Sequence, residues 1–229
     1  MAKKVFIGVG HGGTDSGAVA NGLKEKDLNL AIALACKSEL ERHKVKVGIS
    51  RTKDENDSLN DEIKECNKFK PNYAVEIHNN AGGGDGCEIF HYSKGGTSKT
   101  LAQNILNEIV KIGQNSRGLK TKLDKNGKDY FGWIRETNAP AVLVECAFVD
   151  NKKDVAIIDT AAEQKKMGVA IAKGVLKTLG IAYKEPEVAK PATSGKMYKV
   201  QVGAFSSKAN AEKLQAELKK KGYSAVIVE

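Results

Sequence analysis

Short apolar runs that stop at chemically active residues constrain this chain more than any other feature. Val5-Phe-Ile-Gly-Val, Tyr73-Ala-Val-Glu-Ile-His and Ala141-Val-Leu-Val-Glu-Cys are each of strand length and rich in β-branched residues. Further strands are expected at Val45–Ser50 and Cys87–Tyr92. Between them lie stripes of helical spacing. Leu28, Ile32, Ala35 and Leu40 share one face of a helix running from about Glu25 to His43. Ser58 can cap a helix that ends near Phe69, before Pro71-Asn72. Two more helices are expected from Thr97 to about Gly113 and from about Ala161 to Leu179. Residues 114–132 are polar and read as a surface loop flanking the site. The alternation predicts an α/β fold, a mostly parallel twisted sheet with helices on both faces.

In such a sheet the carboxyl ends of the strands lie along one edge, where ligands bind. His11 follows the first strand in Gly10-His11-Gly12-Gly13, His78 ends the third, and Glu145 interrupts an apolar run. A charge buried in such a run costs several kcal/mol unless it is paired or metal-bound. Two histidines and one carboxylate form a common donor set for catalytic zinc, with a position left for water. A second carboxylate serves as general base and then general acid, which suits hydrolysis of an amide. Glu25, at the start of the first helix, is open to two readings: a metal ligand, or a charge favoured by the helix dipole. His91 lies mid-strand and reads as structural. His43, in Glu-Arg-His-Lys, reads as a solvated helix end.

The formal net charge of +9 points to an anionic partner such as nucleic acid, a membrane surface or a cell-wall polymer. Arg42, Arg51, Arg117 and Arg135 are the only arginines among 37 basic residues. Phosphate readers favour the arginine fork, so the balance argues against nucleic acid. Cys36, Cys66, Cys87 and Cys146 form no C-x-x-C pair and read as small buried hydrophobes. The apolar run after Met-Ala-Lys-Lys is too short for a signal-peptide core, and no run reaches the ~20 residues of a membrane span. The expectation is synthesis in the cytoplasm without a signal peptide.

Several motifs, in order, resemble the zinc-dependent N-acetylmuramoyl-L-alanine amidases of the amidase-3 type. They are Gly10-His11-Gly12-Gly13 with Asp15 and Gly17, Leu23-Lys24-Glu25-Lys26, Ser50-Arg51-Thr52, Glu76-Ile77-His78-Asn79-Asn80-Ala81 and Pro140-Ala141-Val142-Leu143-Val144-Glu145. Val9 and Asn79 depart from the family pattern, which often has proline and an apolar residue there. The resemblance implies Zn2+ as cofactor, with His11, Glu25 and His78 as its ligands, Glu145 as the catalytic carboxylate and Arg135 as a substrate contact. The implied reaction cleaves the amide joining N-acetylmuramic acid to L-alanine in peptidoglycan, by zinc-activated water. The enzyme would act on the wall after release, as phage endolysins and sporulation lytic amidases do. A flexible loop at Gly82–Gly86 would let a bulky glycopeptide approach. Two alternatives are a zinc peptidase acting on the stem peptide and a non-catalytic wall-binding protein.

Residues 183–196 lack periodicity, hold two of the four prolines and read as a linker. This leaves a catalytic domain at 1–182 and a second unit at 197–229. Tyr198-Lys-Val-Gln-Val-Gly-Ala-Phe alternates like a strand, Ala209–Lys221 is helical and Ala225-Val-Ile-Val is another strand. This small βαβ half-module resembles one half of a SPOR domain, which implies glycan contacts at Gln201 and Phe205. A lone unit of this size is too small to be stable. The expectation is a homodimer that pairs two half-modules.

Overall fold

The computed structural model describes residues 2–186 and 200–228, and the chain divides into two compact units, Met1–Lys184 and Glu185–Glu229. The first unit is built around a six-stranded sheet. Its strands are β1 (Lys4–Val9), β4 (Lys46–Ile49), β5 (Tyr73–Asn80), β6 (Cys87–His91), β7 (Ser116–Lys120) and β8 (Ala141–Phe148), in the order β4-β1-β5-β8-β6-β7. β4, β1, β5 and β8 run parallel; β6 is antiparallel to β8 and parallel to β7. A two-residue ribbon of β2 (Val19–Ala20) and β3 (Leu23–Lys24) leads into the first helix. The mostly parallel α/β sheet is as the sequence predicts.

Strand parity divides the sheet into two unequal faces. Val5, Ile7, Val9, Val75, Ile77, Val142 and Val144 point into a large core. That core is covered by α1 (Glu25–Arg42), α3 (Thr97–Lys111) and α6 (Ala161–Leu179). Phe6, Ala74, Ala141 and Leu143 point the other way. They meet a smaller layer from α2 (Leu59–Phe69) and α4 (Gly132–Glu136), chiefly Ile63, Cys66 and Trp133. A further short helix, α5 (Lys152–Val155), follows β8. Glu76, His78 and Glu145 share the parity of Ala74 and Leu143, so they belong to the thinner face. The smaller layer leaves the carboxyl ends of β5 and β8 free for a site.

The helices stop where their ends are satisfied. The Ser58 side chain accepts from the Asp61 amide at the start of α2, and Thr160 accepts from the Glu163 amide at the start of α6. Gly180 closes α6 in the left-handed conformation. α6 also approaches α1 closely: a Cβ on Gly168 would stand 2.5 Å from the Ile32 carbonyl oxygen. Cys36, Cys66, Cys87 and Cys146 are all free and buried.

Four local expectations are corrected. Residues 114–132 are not simply loop, because Ser116–Lys120 pairs with β6 as an edge strand. With one neighbour and partial exposure, Ser-Arg-Gly-Leu-Lys needs no apolar alternation to pair, so its composition hides it. His43 is not solvated: its side chain is only 3% exposed and its ring stacks on Tyr183 with centroids 5.0 Å apart. Its Nδ1 donates to the Glu39 carbonyl, and its Nε2 accepts from the Lys184 amide. Packing within the first unit therefore runs through Lys184, into the expected linker; residues 187–196 of that linker lie outside the described residues. Third, residues 200–205 and 225–228 form no strand, so only the helix of the expected βαβ module is present, as α7 (Lys208–Lys220). Tyr198 and Lys199 lie outside the described residues. The physical reason is size: two short segments and one helix bury too little apolar surface to close a sheet. Fourth, the glycine loop after β5 is pinned rather than loose. Asp150 accepts from the Gly82 and Gly83 amides at 2.8 Å each, Asn151 donates to the Gly84 carbonyl, and Asp154 accepts from the Gly86 amide.

Candidate metal centre and active site

The site begins where β1 ends. The Gly10 amide donates to the Ile77 carbonyl, carrying the β1–β5 ladder to its last residue. His11 then takes a left-handed backbone conformation, φ 62°. Gly10 must lack a side chain, because a Cβ there would stand 2.2 Å from the His78 ring. A Cβ on Gly17 would stand 2.6 Å from a Glu25 carboxylate oxygen and 2.7 Å from the His11 ring. The β2–β3 ribbon delivers Glu25 as the first residue of α1, where the helix dipole favours a carboxylate.

The donor atoms of His11, Glu25 and His78 lie within 4.8 Å of one another. His11 Nε2 is 3.3 Å from Glu25 Oε2, and His78 Nδ1 is 3.0 Å from Glu25 Oε1. The other nitrogen of each ring is also engaged: His11 Nδ1 with Asp15 Oδ2 at 2.8 Å, and His78 Nε2 with Glu76 Oε1 at 3.1 Å. The Glu25 carboxylate further accepts from the backbone amides of Ala18 and Asn79 and from the Asn29 side chain. Burial alone would raise the Glu25 carboxyl, but its hydrogen bonds with His11 and His78 hold it well below the usual carboxylate range. The Glu25 hydrogen bond raises the His11 imidazole. Burial opposes the charge on His78, yet its bonds to Glu25 and Glu76 raise it well above the ordinary value. Two imidazoles and a carboxylate, each oriented from behind, fit a divalent metal of the zinc type.

Glu145 stands opposite His78 in the β5–β8 register. It is largely buried, and its Oε2 has no hydrogen-bond partner among the described residues. Burial pushes its carboxyl up to about 7, with the nearby positive His78 pulling the other way. A carboxyl poised near neutrality beside a metal-type cluster can both take and return a proton.

The groups that hold this cluster include Arg51, Glu76 and Asn79, which the sequence motifs contain but to which they give no role. Arg51 is 2% exposed, and its guanidinium donates to the carbonyls of Val9, Gly10 and Lys26, tying two strand ends to the start of α1. Asn29 donates to the Gly10 carbonyl, and Asn79 donates to Asn29. Asn79 thus replaces an apolar residue with a polar link. Glu76 carried the same signal as Glu145, a carboxylate inside an apolar strand. Arg135 is not brought to the cluster: its guanidinium donates to the Asp129 and Tyr130 carbonyls and to Glu136. His91 is buried, with Nδ1 bonded to the Tyr92 carbonyl. In the second unit Gln201 and Phe205 are both exposed, with the Phe205 ring beside Gly203.

The sequence profile of N-acetylmuramoyl-L-alanine amidases (Amidase_3) matches residues 5–177, which hold the sheet, the cluster and Glu145. The chain belongs to this amidase family. It is a peptidoglycan amidase. Its relatives include the N-acetylmuramoyl-L-alanine amidase CwlM of Bacillus licheniformis, 37% identical over 98% of this chain and 84% of CwlM. An endolysin of Bacillus phage SPP1 is 34% identical over 80% of this chain and 69% of the endolysin. Among solved structures, the catalytic domain of CwlV, an N-acetylmuramoyl-L-alanine amidase from Bacillus (Paenibacillus) polymyxa var. colistinus, superposes with a TM-score of 0.71 at 32% identity. That match covers 79% of this chain and 99% of the CwlV domain. A SPOR-domain profile matches residues 169–229 of the amidase, overlapping the end of α6. Among its described residues no helix is long and apolar enough to cross a membrane.

Proposed function

We propose that the amidase cuts the bond between the lactyl group of N-acetylmuramic acid and L-alanine with a zinc ion held by His11, Glu25 and His78, and with Glu145 as acid and base. The convergence of three donor atoms beside a buried carboxylate carries this reading. Zinc in that position supplies Lewis acidity, polarising the scissile carbonyl and making a water molecule easier to deprotonate near pH 7. Glu145 takes the proton from the attacking water as its oxygen bonds to the carbonyl carbon. Glu145 then returns that proton to the alanine nitrogen as the carbon–nitrogen bond breaks. Asp15 holds His11 from behind, and the Asn29–Asn79 link and Arg51 keep the strand ends from drifting. The pinned Gly82–Gly86 loop, which follows the His78 strand, lets the glycopeptide approach. Arg135 contacts more distant parts of the substrate.

The reading extends to the second unit. Residues 1–182 act as the catalytic domain and 197–229 as a wall-binding module joined by 183–196, with Gln201 and Phe205 touching glycan. The second unit leaves Val200, Val202, Val226 and Val228 exposed, and α7 buries no residue fully. Pairing of two chains through these segments completes a sheet and gives a homodimer. The enzyme acts on the wall after its release from the cell that makes it.

Digestion of purified peptidoglycan tests the chemistry. The expected products are stem peptides with a free L-alanine amino group and glycan strands with free lactyl carboxylates. New amino termini elsewhere in the stem would overturn the assignment, as would undiminished digestion after chelation. Sedimentation of the full chain tests the pairing, and the mass of a single chain would overturn it.

A further inference from the structure

The thinner face of the sheet carries a carboxylate that the proposed reaction does not use. Glu76 lies two residues before His78 on the same side of β5, and only 4% of it is exposed. Its Oε1 is 3.1 Å from His78 Nε2, while its Oε2 has no hydrogen-bond partner among the described residues. His78 turns its other nitrogen, Nδ1, toward Glu25. The site around Glu76 is shaped to receive it: a Cβ on Gly8 would stand 3.3 Å from its Cγ and 3.1 Å from the Trp133 ring. The opposite arrangement holds at His11, whose partner Asp15 has a side chain 67% exposed. A buried carboxylate with one oxygen unmatched is a cost that packing alone does not explain.

We propose that Glu76 is a positioning residue that accepts a hydrogen bond from His78 Nε2–H and so commits Nδ1 of that ring to the metal. The proposal rests on the metal reading above. Histidine ligands need their second nitrogen fixed, since a carboxylate there selects the tautomer, locks the ring and strengthens the donor. Without that acceptor the His78 ring is free to turn Nδ1 away from Glu25, although Gly10 leaves it room beside the strand end.

Zinc affinity, measured by competition with a chromophoric chelator, tests this on the full chain. Glu76→Leu removes the acceptor and keeps the bulk; it is expected to weaken zinc binding about 10–100-fold. Glu76→Gln keeps an acceptor oxygen and is expected to recover most of that loss. The visible spectrum of the cobalt-substituted protein should shift in Glu76→Leu and stay near the parent in Glu76→Gln. Zinc affinity and a cobalt spectrum unchanged in Glu76→Leu would overturn the proposal. Should that variant not fold, long-range 1H–15N spectra of the zinc-loaded parent decide the matter. They should show His78 protonated at Nε2 and metal-bound at Nδ1, and the reverse tautomer would overturn the proposal. A parent chain that takes up no zinc would instead overturn the metal reading on which it rests.

Discussion

Helices α6 and α7 are both amphipathic, α6 the more apolar of the two, and they bury very different amounts of surface. α6 buries Met167, Ala170, Ile171, Val175, Leu176 and Leu179 among others, whereas α7 fully buries nothing, and its Ala211, Leu214 and Leu218 are only half-covered. Local amphipathicity is similar; the surroundings are not. α6 lies against α1 and α3 over the open six-stranded sheet. α7 has flanking segments with strand-like alternation that form no strand among the described residues. An apolar stripe becomes stabilising only when something removes it from water, at roughly 25 cal/mol per Å2 of apolar surface. The first unit supplies its own cover, and the second presents surface that a partner can cover.

The two units should respond differently to mutation and to metal removal. The largest effect is expected in the first unit, at Glu145→Ala. Hydrolysis of cell walls should fall about 10^2–10^4-fold, the range that positioned acid–base groups supply. The variant should melt no lower than the parent, since it loses a buried carboxylate oxygen without a partner. A variant that melts normally and clears walls at the parent rate would remove Glu145 from the mechanism. Next comes metal withdrawal. Zinc at a thousandfold excess over its dissociation constant adds about 4 kcal/mol to the state that binds it. Chelation should therefore lower the melting temperature of the chain and abolish activity together, and readdition of zinc should restore both.

Smaller effects separate the two units directly. Gly168→Val forces a side chain against the Ile32 carbonyl and the start of Cys36, and should destabilise the chain by about 1–3 kcal/mol in denaturant melts. Leu214→Ala, on the helix that buries nothing fully, should change monomer stability by less than about 0.5 kcal/mol. Equal costs at the two positions would show that α7 is covered after all. The smallest change in stability is expected from ending the chain at residue 186. The main unfolding transition should stay in place and cleavage of small soluble muropeptides should continue. Retention on sedimented cell walls should fall. Unchanged retention would remove the second unit from wall binding.

Much of the site was legible because buried polar groups stand out in apolar strands. His11, His78 and Glu145 each ended or interrupted such a run, and parallel strands place such residues along one edge. Glu25 was different: beside two lysines its charge looks like any helix start, and only the family resemblance pointed to it. Glu76 was legible by the rule applied to Glu145, yet its role depends on which nitrogen of His78 faces which carboxylate. Edge strand β7 was hidden because one-sided pairing asks little of a side-chain pattern. His43 looked solvated because its cover, Tyr183, comes from 140 residues further along the chain.

Apolar periodicity, glycine placement and the polar residues at strand ends determine, from the sequence alone, a mostly parallel α/β unit with His11, His78 and Glu145 gathered at one edge. Local spacing suffices there, since strand and helix periods act over a few residues and sheet topology aligns the ends. Tertiary structure alone decided the rest: the face of the sheet that carries the site, the nitrogen each imidazole turns to Glu25, and the groups that hold both rings from behind. Those outcomes depend on contacts between segments 40 to 70 residues apart, such as Arg51 with Gly10 and His78 with Glu25. No local pattern encodes the distance between such atoms; only the packed sheet sets it.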